Sequence, residues 1–143
     1  LVSLIRREGT ALASSSDCEL LIGDGSPGIG CPVIASITGC RMVLVVTEPT
    51  LSGLHDLKRV AELTQQFNIQ TAVCINKVDI NPEIAERIQR EAQELDIPVL
   101  GRIRYDEAVT AAQVSQMSVV EYGDSLAAKD IRVFWKRVIN AIG

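Results

Sequence analysis

Met42-Val43-Leu44-Val45-Val46 runs straight into Thr47-Glu48-Pro49-Thr50, an unbroken apolar run closed by a polar, proline-containing turn. A run this short reads as a strand. Apolarity on successive rather than alternate positions means that both of its faces are covered, as in a parallel sheet. The same pattern recurs at Glu19 to Ile22, before Asp24-Gly25; at Thr71 to Ile75, before Asn76-Lys77-Val78-Asp79; and at Pro98 to Ile103, before Arg104-Tyr105-Asp106. Helical periodicity fills the intervals. Leu54, Leu57, Val60, Ala61 and Leu63 form one apolar stripe, and Ile84, Ile88, Ala92 and Leu95 form another. Asn81-Pro82 supplies an N-cap and a first-turn proline for the second helix. A last helix, opened by Asp124 or Ser125, turns Ala127, Ile131, Phe134, Val138 and Ile142 to the core, with Lys136 and Arg137 near its C-terminal end to suit the helix dipole. Strands alternating with helices predict an α/β fold, a parallel sheet with helices on both faces and right-handed crossovers, in one domain over residues 1–143.

Composition narrows the functional classes. The chain has 143 residues, 47% of them apolar, enough to bury a core without disulfide staples. Its 14 basic and 18 acidic residues leave a net charge of −4, so no general basic field exists to coat nucleic acid or an acidic membrane. The uncharged stretch between Asp24 and Arg41 is broken by four glycines and two prolines and is no membrane span. The opening residues Leu1 to Glu8 already read as helix, with no secretion signal, so the chain is expected to be part of a longer protein. Cys18, Cys31, Cys40 and Cys74 form no CxxC pair and have no histidine at ligand spacing, which predicts small buried hydrophobes in a reduced cytoplasm rather than a metal site.

In an open parallel sheet, ligands bind beyond the carboxyl ends of the strands, so the residues after each apolar run are the candidates. Asp24-Gly25-Ser26-Pro27-Gly28-Ile29-Gly30 joins a strand-end carboxylate, suited to the hydration shell of Mg²⁺, to glycines that let backbone N–H groups approach phosphate oxygens. The same loop could instead be a helix cap and a turn. Asn76 ends its strand in an amide that donates and accepts side by side, a match for a purine edge, and Asn76-Lys77-Val78-Asp79 spells the NKxD pattern of guanine-specific GTPases. A simple turn is the plain alternative.

Three segments carry a family resemblance: Leu21-Ile22-Gly23-Asp24-Gly25-Ser26-Pro27-Gly28-Ile29-Gly30-Cys31-Pro32-Val33-Ile34-Ala35-Ser36, Val46-Thr47-Glu48-Pro49-Thr50-Leu51-Ser52-Gly53-Leu54-His55-Asp56-Leu57, and Ile75-Asn76-Lys77. Together they resemble the MinD/ParA-superfamily P-loop ATPases that carry an inserted ferredoxin domain, a group related to MinD, ParA, the Mrp-type iron–sulfur carriers, the nitrogenase iron protein and the CobB/CobQ amide synthases. The resemblance implies a Rossmann-like P-loop NTPase fold of the SIMIBI/MinD type. It implies that Asp24 is the Walker B carboxylate holding a water-ligated Mg²⁺, and that Gly28 offers its N–H toward the γ-phosphate. Asn76 would read adenine, and the loop Arg104, Tyr105 and Asp106 would close over the base. ATP and Mg²⁺ are the implied cofactors, a homodimer with an iron–sulfur or electron-transfer client the implied assembly, and the cytoplasm the implied location. No GxxxxGK[ST] segment occurs in the chain, nor does the cysteine-rich ferredoxin insert that would hold 4Fe-4S clusters. The resemblance is therefore to the C-terminal part of such an ATPase. A sheet lacking the strand before the phosphate loop is incomplete and leaves an apolar edge that seeks a partner, and the fragment alone is expected to be inactive because the phosphate cradle is missing.

Other readings compete. A GTPase would use Asn76-Lys77-Val78-Asp79, but its DxxG switch needs glycine at position 27, where proline stands. A cobyrinic acid a,c-diamide synthase-like amide ligase shares the superfamily. A receiver-type signalling module would need an acidic pair beside Asp24, and the stretch just before it offers only Asp17 and Glu19. A non-catalytic docking or dimerisation module would use the rim for protein contact. His55-Asp56 reads as a solvated helix face, and Trp135 beside Phe134 as core packing.

Overall fold

The computed structural model describes residues 2–25 and 30–143. Helix α1 (Val2–Ser15) and the short α2 (Cys31–Ile37) precede an alternation of β1 (Met42–Thr47), α3 (Leu51–Gln66), β2 (Gln70–Asn76), α4 (Pro82–Glu94) and β3 (Val99–Ile103). Helices α5 (Ala108–Val114), α6 (Val119–Tyr122) and α7 (Leu126–Ile142) complete the chain. Among the described residues the strands form one parallel sheet in the order β1-β2-β3. The ladder runs from Met42 opposite Gln70 to Thr47 opposite Ile75, and on the other side of β2 Asn76 stands opposite Ile103. Strand β2 is therefore central, and Thr71 to Ile75 are all buried. This is why its sequence is apolar without alternation.

The caps are local and follow from residue type. Thr50 accepts from Gly53 N at 2.9 Å to start α3, Asn81 accepts from Ile84 N at 3.2 Å to start α4, and Ser125 accepts from Ala128 N at 3.2 Å to start α7. On one face of the sheet, Leu54 and Leu57 of α3 and Ile84, Ala85, Ile88 and Ala92 of α4 close over Val73 and Ile75. On the other face α7 lies against β3. Cys74 and Gly101 are neighbours across the ladder, and a Cβ at Gly101 would come within 2.5 Å of the Phe134 ring. The glycine is what lets α7 approach this closely. Burial between sheet and helix pushes the Cys74 thiol up to about 12, which leaves it un-ionised at neutral pH.

Three expectations are corrected. Glu19 to Ile22 is not a strand: Leu21 and Ile22 are exposed, and Leu21 lies against α1, 3.8 Å from where a Cβ on Gly9 would sit. A strand needs a neighbour for its backbone hydrogen bonds, and β1 pairs only with β2 among the described residues, leaving its other edge bare with Val46 60% exposed. Trp135 is not core, because it falls on the solvent side of α7 at 41% exposure while Phe134 turns inward. Of the cysteines only Cys74 is buried, and Cys18 and Cys31 are exposed. No helix among the described residues is long and apolar enough to cross a membrane.

Candidate nucleotide-binding rim

The carboxyl ends of β1, β2 and β3 point the same way, so the loops that follow them meet at one end of the sheet. The β2 loop lies between the other two and is bonded to both. Asn76 Oδ1 accepts from Lys77 N at 3.0 Å, a tight turn that puts Lys77 in the left-handed region at φ 53°. A side chain there costs about 1–2 kcal/mol relative to the right-handed region, so the surroundings must hold it. Two backbone bonds hold it: Ile80 N donates back to Lys77 O at 3.1 Å and Val78 N donates to Ile103 O at 2.9 Å, while Lys77 Nζ reaches Glu48 Oε1 at 2.6 Å at the exposed rim. Gly53 allows the β1 loop to pack here, since a Cβ on it would collide with Glu48 O and Thr47 Oγ1.

Carboxylates organise the β3 loop. Arg104 donates from its backbone N, Nε and Nη2 to Asp130 on α7, at 3.1, 2.8 and 2.6 Å. Tyr105 N donates to Asp79 Oδ1 at 2.7 Å. Asp106 itself accepts from Ala108 N at 2.9 Å and Ala127 N at 3.0 Å, joining the start of α5 to the start of α7. The electrostatic consequences follow. Backbone N–H groups of Ala127 and then Ala108 hold the Asp106 carboxyl below its ordinary value, and the Arg104 guanidinium does the same for Asp130. The Arg104 guanidinium is pushed up in return by Asp130. The side chains of Arg104 and Tyr105 remain exposed at the rim.

Of the residues expected to form the site, Asn76, Arg104, Tyr105 and Asp106 are thus brought to one rim. Asp24 is exposed in an irregular segment and makes no hydrogen bond or ion pair with another described residue, while Gly28 lies outside the described residues. Among the described residues no group of three His, Cys, Asp or Glu side chains could hold a metal ion. One carboxylate suits Mg²⁺ only where phosphate oxygens and water complete its octahedral shell. Sequence reading missed Asp130, which has no motif around it, and treated Asp79 only as the fourth letter of NKxD.

A parallel α/β sheet with polar loops gathered at its carboxyl end defines the class, one in which ligands bind across the strand ends. The chain has the fold of the MinD/ParA ATPases. It is similar to a chain of the MinC:MinD cell division protein complex of Aquifex aeolicus, with a TM-score of 0.81 and 16% identity over 98% of this chain and 60% of that one. It is also similar to the septum site-determining protein MinD complexed with Mg-ADP from Pyrococcus horikoshii OT3, with a TM-score of 0.71 and 18% identity over 84% of this chain and 50% of that one. By sequence it is 32% identical over 124 residues to the uncharacterized ATP-binding protein MJ0823 of Methanocaldococcus jannaschii, covering 85% of this chain and 47% of that protein. The uncharacterized ATP-binding protein MJ0547 of the same organism is 28% identical over 133 residues, 86% of this chain and 47% of that protein. The chain spans less than half the length of these curated relatives. No family model matches it.

Proposed function

We propose that residues 1–143 are the C-terminal part of one nucleotide-binding domain in a MinD/ParA-type ATPase, and that they contribute its base side. The observation that carries this reading is the convergence of Asn76 with the Arg104–Asp106 loop on a bonded rim at the strand ends. The ATP-binding relatives and the Mg-ADP complex of a MinD with this fold support it. Asn76, its Oδ1 held by Lys77 N, turns its amide NH2 toward the base, and the Tyr105 ring supplies an apolar face beside it. Asp24 orients a water on Mg²⁺, and Gly28 donates its N–H to the terminal phosphate. The lysine and hydroxyl that complete a P-loop are absent from this sequence, so the chain alone binds nucleotide weakly and does not hydrolyse it. The remainder of the domain covers the bare edge of β1.

The parent protein, on this reading, is a cytoplasmic homodimer that couples ATP hydrolysis to iron–sulfur cluster handling or electron transfer. That assignment rests on the Asp24–Gly30 loop and its resemblance to ferredoxin-bearing ATPases. Calorimetric titration of the chain and of a version extended at its N-terminus, with Mg-ATP and Mg-GTP, tests the proposal. ATP is expected to bind the extended protein and to bind the chain far more weakly. Equal ATP affinity for both would refute the missing cradle, and preference for GTP would refute the adenine assignment. Iron and sulfide analysis of the extended protein tests for the ferredoxin insert on which the iron–sulfur reading rests, and a cluster-free protein argues against it.

A further inference from the structure

The Asn76-Lys77-Val78-Asp79 turn holds an acidic residue where a guanine-specific site would place one, and the structure uses that residue for something else. Asp79 Oδ1 accepts from Tyr105 N at 2.7 Å, across a separation of 26 residues. The neighbouring Val78 N donates to Ile103 O at 2.9 Å, so strand pairing continues into the turn and sets Asp79 opposite the β3 loop. On the other side of the same turn, Lys77 pairs with Glu48 of the β1 loop. Both charged residues of the tetrapeptide thus tie it to adjacent loops. Both ties lie at the exposed rim, and they differ in kind. Lys77 and Glu48 join two long side chains, and such pairs contribute little, whereas Asp79 is a short side chain that accepts from a backbone N–H of the neighbouring loop.

We propose that Asp79 is a positioning residue that fixes the Arg104–Asp106 loop through Tyr105 N and does not read the base. This rests on the nucleotide-binding reading of the rim. A guanine edge offers a ring N–H and an amino group side by side, and a carboxylate reads it by turning both oxygens to that pair. With Oδ1 on Tyr105 N, Asp79 cannot do so without giving up or sharing that bond. The arrangement therefore separates the roles: Asn76 stays at the base, and Asp79 sets where the loop beside the base stands. It also explains how a tetrapeptide with a GTPase spelling fits an adenine site.

Amide hydrogen exchange of the 143-residue chain, read residue by residue by NMR, tests this without any nucleotide. Asp79→Ala removes the acceptor, and exchange at Tyr105 N is expected to speed up by about tenfold or more while Val73 N in the central strand keeps its protection. Asp79→Asn retains an oxygen acceptor and is expected to restore most of the protection. Unchanged exchange at Tyr105 in Asp79→Ala overturns the proposal, as does loss of Val73 protection in both variants, which would make Asp79 a general determinant of the fold. Binding of Mg-ATP, Mg-GTP and the xanthosine analogue Mg-XTP to the N-terminally extended protein supplies the second arm. Xanthine offers one donor beside one acceptor, the complement of an amide, so Asp79→Asn would shift preference toward Mg-XTP if residue 79 read the base. An unchanged base preference is expected, and a shift to Mg-XTP overturns the proposal. If no nucleotide binds, the functional reading fails while the exchange result still decides the role of Asp79.

Discussion

Replacing Gly101 by alanine should displace helix α7 and loosen the rim from behind. The added Cβ would stand 2.5 Å from Cδ2 and 2.8 Å from Cγ of Phe134, and 3.1 Å from Cys74 Sγ. Carbon atoms at rest lie about 3.5–4.0 Å apart, so either the ring or the strand must give by roughly 1 Å. The ring has little room, because Phe134 is part of the face that α7 turns to the sheet, with Val138 buried one turn further on. Overpacking of this kind costs about 1–3 kcal/mol. For a domain of this size that corresponds to a fall in Tm of about 4–12 °C. Because α7 also carries Asp130, which clamps Arg104, the same displacement should lengthen those bonds. Thermal and urea unfolding followed by circular dichroism measures the loss. A double-mutant cycle with Phe134→Leu assigns it: the smaller side chain makes room for the methyl group, and a coupling of about 0.5–3 kcal/mol is expected. A Gly101→Ala chain as stable as the parent, or strict additivity with Phe134→Leu, would refute the packing argument.

The remaining predictions concern acid stability, the core, the cysteines and the open edge. Asp106 and Asp130 bind fewer protons folded than unfolded, because both carboxyls are held below their ordinary value. Stability from them is complete above about pH 4, the ordinary Asp value, and is lost as pH falls through the lower folded values; urea midpoints measured across acid pH should fall less steeply in Asp106→Asn than in the parent. Ile88→Ala empties a fully buried position between α4 and the sheet and should cost about 2–5 kcal/mol by chemical denaturation. In the native chain a maleimide should label Cys18 and Cys31 and spare Cys74, with labelling of Cys74 only after unfolding. If the bare edge of β1 drives self-association, Val46→Lys should shift the chain toward monomer in sedimentation experiments, and an unchanged distribution would place the contact elsewhere.

Elements whose signals are local were legible in the residues. The stripes of α3, α4 and α7, the caps at Asn81 and Ser125, and the apolar runs of β1, β2 and β3 each depend on neighbours within a few positions. The Glu19 to Ile22 segment has the same apolar character and still is not a strand, because being a strand is a property of a pair. Trp135 and Phe134 illustrate the same limit on a helix, where adjacent apolar residues lie about 100° apart and only one can meet the sheet.

The sequence by itself determined the alternation of elements, the parallel character of the sheet and the set of polar loops that follow its strands, because periodicity and capping act over one or two turns of chain. Tertiary structure alone decided which of those loops touch. Asp79 meets Tyr105 and Asp130 meets Arg104 across 26 residues in each case, and Asp106 reaches Ala127 across 21. No spacing rule connects such positions. They are brought together because β2 lies beside β3 and α7 crosses the sheet where Gly101 leaves room, so the bonds that shape the rim exist only once the strands are ordered.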